Sequence, residues 1–490
     1  MRLADLAALR GLDAGPDGAA RVTGFAIDHR KVAPGNVFGA FEGAAVNGED
    51  FIAAAIASGA LAVVARPGAE VAGALHIADA VPRRAFAALA AQFYQPVPAT
   101  VVAVTGTNGK TSTVEMVRQI WRMAGHHAAS IGTLGVTTAD GSIATGLTTP
   151  DIVTFLANMT GLAREGVSHV AYEASSHGLS QYRNEGLAVV AGGFTNLSRD
   201  HLDYHADMED YFAAKMRLFT EVVDQGGAAV VWADDAWSAR VIAVAQARRL
   251  RLLTVGEQGA DIRLVAREPT RLGQELVVEH GGRTHKVRLP LIGAYQVANA
   301  LTAVGLVLAT GGDAGQVFDA LGRLQPVRGR LERAAITAAG APVYVDYAHT
   351  PDALEAAIAA LRPHVTGRLI TVLGAGGDRD TGKRAPMGAV AVAGSDLVIV
   401  TDDNPRGEDP AAIRAAVLAG AAGAREVGDR RAAIAAAVAE AGEGDIVLIA
   451  GKGHEQGQIV GSGDQMRILP FDDVSVAREC AGALGAGGGQ

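Results

Sequence analysis

Residues 105–112 have the types and the spacing needed to hold a nucleoside triphosphate. Gly106 and Gly109 let backbone N–H groups come close to phosphate oxygens, and a helix that starts here adds the positive end of its dipole. Lys110 can neutralise the β- and γ-phosphates, and the Thr111 hydroxyl can bind Mg²⁺. We therefore predict an ATP site formed by Gly106, Thr107, Asn108, Gly109, Lys110, Thr111 and Ser112.

The loop is shorter than the common phosphate-binding pattern, because Val104 stands where a glycine is expected. An ordinary glycine-rich turn is the alternative interpretation, but it leaves the Lys-Thr pair at the helix start unexplained. A later stretch, 377–383, has the full glycine spacing. There Arg384 replaces the hydroxyl that should bind Mg²⁺, and Asp378 and Asp380 would repel phosphate. We therefore assign that stretch to substrate contacts rather than to ATP.

The elements around the first loop are predicted to form a strand, a turn and a helix. Residues 99–104 are apolar and β-branched, as in a buried parallel strand, and residues 113–124 carry apolar side chains at helical spacing. A later buried strand ends in Glu173, a carboxylate well placed as a second Mg²⁺ ligand. The strand at 189–194 leads into a polar turn that contains His201. Ligands bind at the carboxyl ends of such strands, so we expect a functional His201, with a structural histidine as the alternative.

Composition excludes several classes of protein. The chain has 490 residues, of which 49% are hydrophobic and 19% charged, as in a soluble globular protein. A formal charge of −9 argues against a nucleic-acid partner. Cys480 is the only cysteine, which excludes an internal disulfide and favours a reducing compartment. We find no apolar run long enough for a membrane span, and Asp5 stands where a signal peptide is apolar, so we expect a cytoplasmic protein.

Two turn-forming stretches, 95–98 and 325–330, predict domain boundaries. Strand and helix patterns alternate on both sides of each stretch. We therefore predict an α/β protein with three domains, at 1–96, 97–327 and 328–490. In the last domain four strands end in charged turns, which is where a doubly wound sheet places its site.

Six motifs, taken together and in their order along the chain, resemble the Mur ligase family. Each motif is weak alone, but the combination is highly specific and covers nearly the whole chain. The motifs are Gly-Thr-Asn-Gly-Lys-Thr at 106–111, Glu-Ala-Ser-Ser-His-Gly at 173–178, Thr-Asn-Leu-Ser-Arg-Asp-His-Leu-Asp at 195–203, Asp-Tyr-Ala-His-Thr-Pro at 346–351, Asp-Asn-Pro-Arg at 403–406 and Gly-Lys-Gly-His-Glu at 451–455. Within the family, the chain is most similar to the ligases that add 2,6-diaminopimelate.

The resemblance implies both a fold and a reaction. It implies a small N-terminal α/β domain for the UDP-sugar, a central P-loop ATPase-like domain with a parallel sheet, and a C-terminal Rossmann-like domain for the amino acid. ATP would phosphorylate the γ-carboxylate of D-glutamate in UDP-N-acetylmuramoyl-L-alanyl-D-glutamate, and the amine of meso-diaminopimelate would attack the acyl phosphate. ATP is then a co-substrate and Mg²⁺ the cofactor of a monomer that acts in peptidoglycan precursor synthesis.

The family pattern also implies roles for single residues. The catalytic residues would be Lys110, Glu173, His201 and Lys215. The residues near Mg²⁺ would be Thr111, Glu173, His201 and Lys215, the last carbamylated by CO₂ to N6-carboxylysine. The further ATP contacts would be Asn299, Arg330 and Asp346. From composition alone Lys215 is a surface lysine on an amphipathic helix and Asn299 a polar residue near a helix start, so both roles come only from the resemblance.

The same pattern assigns the two organic substrates to two further sets of residues. The UDP-muramoyl dipeptide would contact Ile27, His29, Ala44, Ala45, Val46, Thr148, Thr149, Ser175, Gln181 and Arg183. Diaminopimelate would contact Arg379, Asp403, Asn404, Pro405, Arg406, Gly451 and Glu455. The family usually has serine at position 29, so we expect the uridine contact of His29 to differ from the family's.

Arg406 favours diaminopimelate over lysine as the amino acid that the chain would add. Diaminopimelate is lysine with a second carboxylate, and an arginine can pair with that carboxylate through two hydrogen bonds. Lysine as the substrate would leave the guanidinium unpaired, so a lysine-adding ligase is a disfavoured alternative. Folylpolyglutamate synthetase is a second alternative, but it should lack the N-terminal UDP-sugar domain and the motif at 403–406. A nucleotide-binding regulator would bind ATP without phosphate release that depends on a second substrate.

Overall fold

The structure, a computed structural model, describes residues 1–43, 46–143, 146–202, 204–270 and 272–486. Three residues named above lie outside the described residues: Ala44, Ala45 and Asp203. Helices and mainly parallel strands alternate along the chain, which confirms the predicted α/β class. The backbone divides into two compact units, the first made of Met1–Arg263 with Asn299–Val317 and the second of Leu264–Ala298 with Phe318–Gln490.

The first unit begins with a small parallel sheet whose four strands pair in chain order. The strands are β1 Gly24–Ala26, β2 Asn36–Gly39, β3 Ala62–Ala65 and β4 Leu75–Ala78. The helices of this segment are α1 Leu3–Ala8, α2 Ile52–Ala57 and α3 Pro82–Phe93. Every residue of β3 is apolar and buried, as expected for an inner strand with helices on both faces.

A larger sheet carries the phosphate loop. The strands of this sheet from β5 to β12 are β5 Thr100–Thr105, β6 Ala128–Gly132, β7 Gly135–Thr137, β8 Ser142–Ile143, β9 His169–Glu173, β10 Val189–Phe194, β11 Val223–Trp232 and β12 Arg251–Gly256. Its helices are α4 Lys110–Met123, α5 Ile152–Arg164, α6 Ser176–Ser180, α7 Met208–Arg217 and α8 Ser238–Ala247. The strand order β12-β11-β10-β5-β9-β6-β7-β8 places β5 between β9 and β10. The carboxyl ends of these three strands therefore meet around the loop.

Helix α4 begins at Lys110, three residues before the start that periodicity predicted. Gly109 has a left-handed backbone conformation, and its carbonyl accepts a helical hydrogen bond from the Thr113 N–H at 2.9 Å. The loop thus turns directly into the helix. The N–H groups of the first helical turn consequently face the loop, as phosphate binding requires.

Strand β13 Ile262–Thr270 leads into the second unit, where β14 Gly273–His280 and β15 Arg283–Leu289 form an antiparallel hairpin. Two helices follow along the chain, α9 Ala294–Ala309 and α10 Ala314–Leu321, and their residues Asn299–Val317 belong to the first unit. Leu276 and Val278 alternate with more exposed residues in β14, so the hairpin is buried on one face only.

A six-stranded sheet forms most of the second unit. Its strands are β16 Glu332–Ile336, β17 Pro342–Asp346, β18 Leu369–Leu373, β19 Leu397–Val400, β20 Arg425–Glu426 and β21 Ile446–Ala450, and β22 Gly457–Val460 pairs separately with β23 Arg467–Pro470. The helices are α11 Pro351–Leu361, α12 Arg384–Gly394, α13 Pro410–Leu418, α14 Arg430–Glu440 and α15 Asp473–Ala486. The order is β16-β17-β21-β18-β19-β20, parallel except for β16. The four strands predicted to end in charged turns, β17, β18, β19 and β21, are therefore neighbours.

Apolar side chains hold helices and sheets together in both units. Phe155 of α5 and Tyr172 of β9 are fully buried, for example, with ring centroids 5.0 Å apart. Cys480 is partly buried and forms no disulfide. Across the ranges that the structure describes, no helix has the length and apolar character to cross a membrane.

Candidate active site

The phosphate loop of the first unit depends on two glycines with positive φ angles, Gly106 at 148° and Gly109 at 86°. A Cβ atom on Gly106 would lie 2.0 Å from Thr195 Oγ1, and one on Gly109 would lie 2.2 Å from Asn299 Oδ1. Only glycine fits either position, because both the backbone conformation and the available space exclude a side chain. Asn299, predicted as a nucleotide contact, thus packs directly against the loop.

The residues that follow β10 hold the loop from its other side. Asn196 Oδ1 accepts the Asn108 N–H at 2.9 Å, and Asn196 Nδ2 donates to the Asn108 carbonyl at 3.1 Å. Thr195 Oγ1 donates to the same carbonyl at 2.6 Å, and the Thr107 N–H donates to the Asn196 carbonyl at 2.9 Å. The loop is therefore preorganised by a neighbouring strand end, through two residues that the predicted site did not include.

Two lysine side chains share the carbonyl oxygen of Gly106. Lys110 Nζ donates to it at 2.9 Å and to the Thr107 carbonyl at 2.8 Å, while Lys215 Nζ donates at 2.7 Å. Lys215 is only 1% exposed, so its interpretation as a surface lysine is wrong. Burial, helped by the nearby charge of Lys110, lowers the pKa of Lys215 well below its ordinary value. Burial therefore favours the neutral amine of Lys215, the form that can add to CO₂.

Glu173 and Thr111 place oxygen atoms beside the phosphate loop. Glu173 ends β9, next to the loop strand, and its Oε1 accepts the Thr133 N–H at 2.7 Å. Both Glu173 and Thr111 are buried, the latter in the first turn of α4. Within the described parts of the chain, no group of three or more His, Cys, Asp or Glu side chains could hold a metal ion. The oxygen donors suit Mg²⁺, but a metal here needs further oxygens from a nucleotide or a modified lysine.

His201 has a φ of 54°, which is uncommon for a residue other than glycine. Its Nε2 lies 3.5 Å from Asp200 Oδ2, and its ring centroid lies 4.9 Å from that of His177 and 6.0 Å from that of Tyr211. The Tyr211 hydroxyl in turn hydrogen-bonds the Thr107 hydroxyl at 3.2 Å. His201 thus belongs to an aromatic group that touches the phosphate loop, and its strained backbone is typical of a functional position.

Five of the residues predicted to bind the UDP-muramoyl dipeptide form one connected group beyond β9. The Ser175 N–H donates to Thr149 Oγ1 at 3.1 Å. Arg183 donates to the Thr149 carbonyl at 2.9 Å and to Gln181 Oε1 at 2.7 Å. Thr148 joins them as the residue before Thr149, and its hydroxyl lies 3.1 Å from the Thr133 hydroxyl. These contacts place the group beside Glu173, because Thr133 also binds that carboxylate.

The predicted contacts in the small N-terminal sheet are more exposed. Ile27 and His29 follow the carboxyl end of β1, and the side chains of Ile27 and Val46 face solvent. The His29 ring stacks on Phe51, with centroids 4.2 Å apart and planes 2° from parallel. Position 29 therefore offers a flat ring with polar nitrogens where the family usually has a hydroxyl.

In the second unit, Asp346 and Arg330 are joined through one short segment. Asp346, the last residue of β17, accepts the Leu331 N–H at 2.7 Å and the Ala348 N–H at 2.8 Å. Burial raises the pKa of Asp346 to about 6. Arg330 lies next to Leu331, and its guanidinium carbon is 4.7 Å from the centroid of the Tyr347 ring. The structure therefore brings together the two predicted nucleotide contacts of this unit.

Lys452 is not among the predicted site residues, but its side chain contacts three residues that are. Lys452 Nζ donates to Asn404 Oδ1 at 2.7 Å and to Asp403 Oδ1 at 3.2 Å, and lies 3.5 Å from Glu455 Oε2. Asn404 Nδ2 donates to Glu455 Oε2 at 2.8 Å. Lys452 has no exposed surface, so it balances two carboxylates that burial would otherwise destabilise. The only feature of the sequence that pointed to a role for Lys452 was its place inside the motif at 451–455.

Arg406 is held by its backbone and has a φ of 51°. Its N–H donates to the Ile459 carbonyl at 3.0 Å, and its Nη1 donates to the Gly377 carbonyl at 3.0 Å. Arg384 stands where a second phosphate loop would need a hydroxyl. It is buried, and its Nη2 lies 2.8 Å from Glu408 Oε1. The stretch that contains Gly377 and Arg384 is therefore folded beside Arg406, as a substrate-contact loop should be.

The remaining predicted diaminopimelate contacts differ in exposure. Pro405 is buried, and Gly451 has a φ of 120° with the Asp403 carboxylate packed against it. Arg379 is exposed, and its Nη1 donates to the Asp378 carbonyl at 3.2 Å. Arg379 can therefore reach toward a ligand, whereas Pro405 and Gly451 present mainly backbone.

Three family models match successive parts of the chain. Residues 21–96 match "Mur ligase family, catalytic domain", residues 104–307 match "Mur ligase middle domain" and residues 329–453 match "Mur ligase, glutamate ligase domain". The three matches together span well over half of the chain, and each contains some of the polar strand ends described above.

Curated relatives and solved structures match nearly the whole chain. A UDP-N-acetylmuramoyl-L-alanyl-D-glutamate–2,6-diaminopimelate ligase of Zymomonas mobilis is 61% identical over 458 residues, 94% of each chain. A solved structure of a ligase with the same name is 32% identical, with a TM-score of 0.74 and coverage of 99% of both chains. Folylpolyglutamate synthase of Mycobacterium tuberculosis, complexed with ADP, is 20% identical with a TM-score of 0.62 and covers 76% of this chain and 91% of its own. The last likeness shows the fold alone.

We predict that Gly109→Ala abolishes tight ATP binding, because the new methyl group would clash with Asn299. Gly125→Ala is a matched control, since Gly125 follows the other end of α4 with a φ of 89° and nothing within 4 Å of an added Cβ. Both variants carry the backbone strain of about 1–2 kcal/mol, but only the first has the clash. Calorimetric titration with ATP should show a dissociation constant raised at least about tenfold in Gly109→Ala alone. Equal affinities in the two variants would contradict this account of the loop.

Proposed function

The chain belongs to the Mur ligase family, and on that premise we propose that it adds 2,6-diaminopimelate to UDP-N-acetylmuramoyl-L-alanyl-D-glutamate with conversion of ATP to ADP and phosphate. The observation that carries the proposal is the 61% identity to a ligase of that name over 94% of each chain. The product, a UDP-N-acetylmuramoyl tripeptide, is a precursor of peptidoglycan. The solved folylpolyglutamate synthase is only 20% identical to this chain, so its likeness shows the fold and does not support that alternative activity.

A carboxylate is a poor electrophile for an amine, so the proposed reaction first converts it to an acyl phosphate. A carboxylate oxygen of D-glutamate forms a bond to the γ-phosphorus of ATP, and ADP leaves. The amine nitrogen of diaminopimelate then bonds to the acyl carbon, phosphate leaves, and the amine loses a proton. Negative charge accumulates in the first step, and we assign Lys110 and the N–H groups of the phosphate loop to its stabilisation.

We further propose a magnesium site made of Thr111, Glu173, His201 and a carbamylated Lys215. Three of these four donors are oxygens, the ligand type that Mg²⁺ prefers. The burial of Thr111 and Glu173 beside the loop supports the assignment, as does the lowered pKa of the buried Lys215 amine. When bound, the ion would neutralise phosphate charge.

The substrate contacts are proposed at three places, two for the UDP substrate and one for diaminopimelate. The group around Thr149 and Arg183 would bind the peptide part of the UDP substrate, and the surface around Ile27 and His29 would bind its uridine. The cluster organised by Lys452 would bind diaminopimelate. Its alternation of carboxylates and cations supports this assignment, because diaminopimelate carries both ammonium and carboxylate groups.

The three-domain division at residues 96/97 and 327/328, a monomeric state and a cytoplasmic location belong to the same proposal. Separate sheets at residues 24–78 and 332–450 support the division. Small, highly charged substrates and a single cysteine favour the cytoplasm.

A coupled assay of ADP release tests the proposed reaction. We expect release to require both the UDP-muramoyl dipeptide and diaminopimelate, with lysine disfavoured by roughly 10⁴–10⁵-fold in kcat/KM. Mass spectrometry should identify the UDP-muramoyl tripeptide. ATP hydrolysis that is indifferent to the dipeptide would instead indicate a nucleotide-binding regulator, and a preference for lysine would overturn the choice of amino acid.

We predict that Lys215→Ala lowers kcat by about 10²–10³-fold, because an anionic ligand of the proposed magnesium site is lost. Short carboxylic acids such as formate should partly restore the rate by occupying the vacated space. With ¹³C-bicarbonate, the wild-type protein should show a carbamate NMR signal that the variant lacks. Lys286→Ala, at an exposed position of β15, is the control and should keep both the signal and the rate. A wild-type protein without the carbamate signal would refute the modification.

Arg406→Ala should remove the preference for diaminopimelate over lysine. Loss of one partner of a buried charged pair costs about 2–5 kcal/mol, so kcat/KM for diaminopimelate should fall roughly 30- to 5,000-fold. Arg431→Ala, on the exposed side of α14, is the control. If Arg406→Ala used both amino acids as the wild type does, another residue would have to recognise the distal carboxylate.

A further inference from the structure

Arg430 is a fully buried arginine in the second unit that no step described so far uses. It is the first residue of α14, and it pairs with Asp473, the first residue of α15. Nε donates to Asp473 Oδ1 at 2.8 Å and Nη2 donates to Asp473 Oδ2 at 2.7 Å. Neither side chain has exposed surface. A charged pair buried this deeply is not explained by stability, because apolar residues of similar volume often serve as well or better.

The guanidinium also reaches the ends of two strands. Nη2 donates to the carbonyl of Ala450, the last residue of β21, at 3.0 Å. Nη1 donates to the carbonyl of Asp402, just after β19, at 3.3 Å. Strand β18 lies between β19 and β21 in the sheet, so no ladder hydrogen bond joins these two ends. Arg430 therefore links them across the intervening strand.

The next residue after each carbonyl is a proposed diaminopimelate contact. Asp403 follows Asp402, and Gly451 follows Ala450. The two are in close contact, since a Cβ on Gly451 would lie 2.7 Å from Asp403 Oδ2. Lys452 binds the other carboxylate oxygen of Asp403 at 3.2 Å. A small shift of one strand end relative to the other would therefore separate groups that must act on one substrate.

We propose that Arg430 is a positioning residue for the amino-acid substrate, which fixes the spacing of Asp403 and Gly451 by binding the carbonyls of Asp402 and Ala450. Asp473 orients the guanidinium for this task. The inference rests on the proposed function, because it concerns the site that would take diaminopimelate. Arg430 itself is buried beneath that site, so its effect on the substrate is indirect.

The chain offers a matched control at the next position. Arg431 pairs with Glu479 at 2.7 Å and so also joins α14 to α15, but both side chains are more than half exposed. The Arg431 pair shares the helices of the Arg430 pair without reaching the strand ends. Differences between variants at 430 and 431 therefore report on the carbonyl contacts rather than on the packing of the helices.

The test compares Arg430→Lys, the double variant Arg430→Met/Asp473→Leu, and Arg431→Lys. Steady-state kinetics would be measured for each of the three substrates, together with the unfolding temperature. We expect both Arg430 variants to raise the KM for diaminopimelate by roughly ten- to a hundredfold, because misplacement of about 1 Å has effects of that order. The KM values for ATP and the UDP-muramoyl dipeptide should stay within about twofold of wild type, as should all values in Arg431→Lys.

The double variant keeps the test decisive if Arg430→Lys does not fold, since it replaces a buried charged pair by apolar side chains of similar volume. An unchanged KM for diaminopimelate in a folded Arg430 variant would overturn the proposal. So would an equal rise in all three KM values, or failure of both Arg430 variants to fold, since either result assigns Arg430 to general stability. A wild-type protein that does not ligate diaminopimelate would instead refute the proposed function.

Discussion

The shared carbonyl oxygen of Gly106 is the constraint on which the site of the first unit depends. Two lysine amines donate to it, and two adjacent ammonium groups in a buried setting would repel each other. Burial eases the conflict by lowering the pKa of Lys215, which favours its neutral form and leaves Lys110 as the proposed cation for phosphate. Helix α7 carries Lys215 and also brings the Tyr211 hydroxyl to the loop at Thr107. One helix thus supplies both the buried lysine and a hydroxyl that contacts the loop.

The second unit uses a buried cation for a different purpose. Lys452 binds Asp403 and Asn404, and Asn404 in turn binds Glu455, so polar groups from two strand ends satisfy one another. Beneath them, Arg430 ties the backbone of the same strand ends together. Parallel strands end at one edge of the sheet, and in this unit buried cations hydrogen-bond the groups exposed there. Both units therefore place lysine or arginine below the carboxyl ends of their central strands.

Local patterns in the sequence predicted much of this arrangement, and tertiary contacts account for what they missed. The apolar strand before residue 105 and the glycine turn after it are local signals, and both are present. Apolar periodicity alone indicates a helix from residue 113, whereas the Lys-Thr pair predicted the start at Lys110 that the αL conformation of Gly109 allows. The burial of Lys215 and the role of Lys452 were not predictable from composition, because each depends on residues about 50 or more positions away in the chain. The contacts of Thr195 and Asn196 were not predictable either, because their hydrogen bonds to Asn108 join the ends of two different strands.

A crystal structure with an unreactive ATP analogue tests the central claim most directly. We expect its phosphates to lie against the N–H groups of residues 106–112, with Lys110 Nζ moved from the Gly106 carbonyl to a phosphate oxygen and Lys215 still bound to that carbonyl or carbamylated beside it. Density for the analogue elsewhere in the molecule, with this loop empty and Lys110 unmoved, would contradict the account.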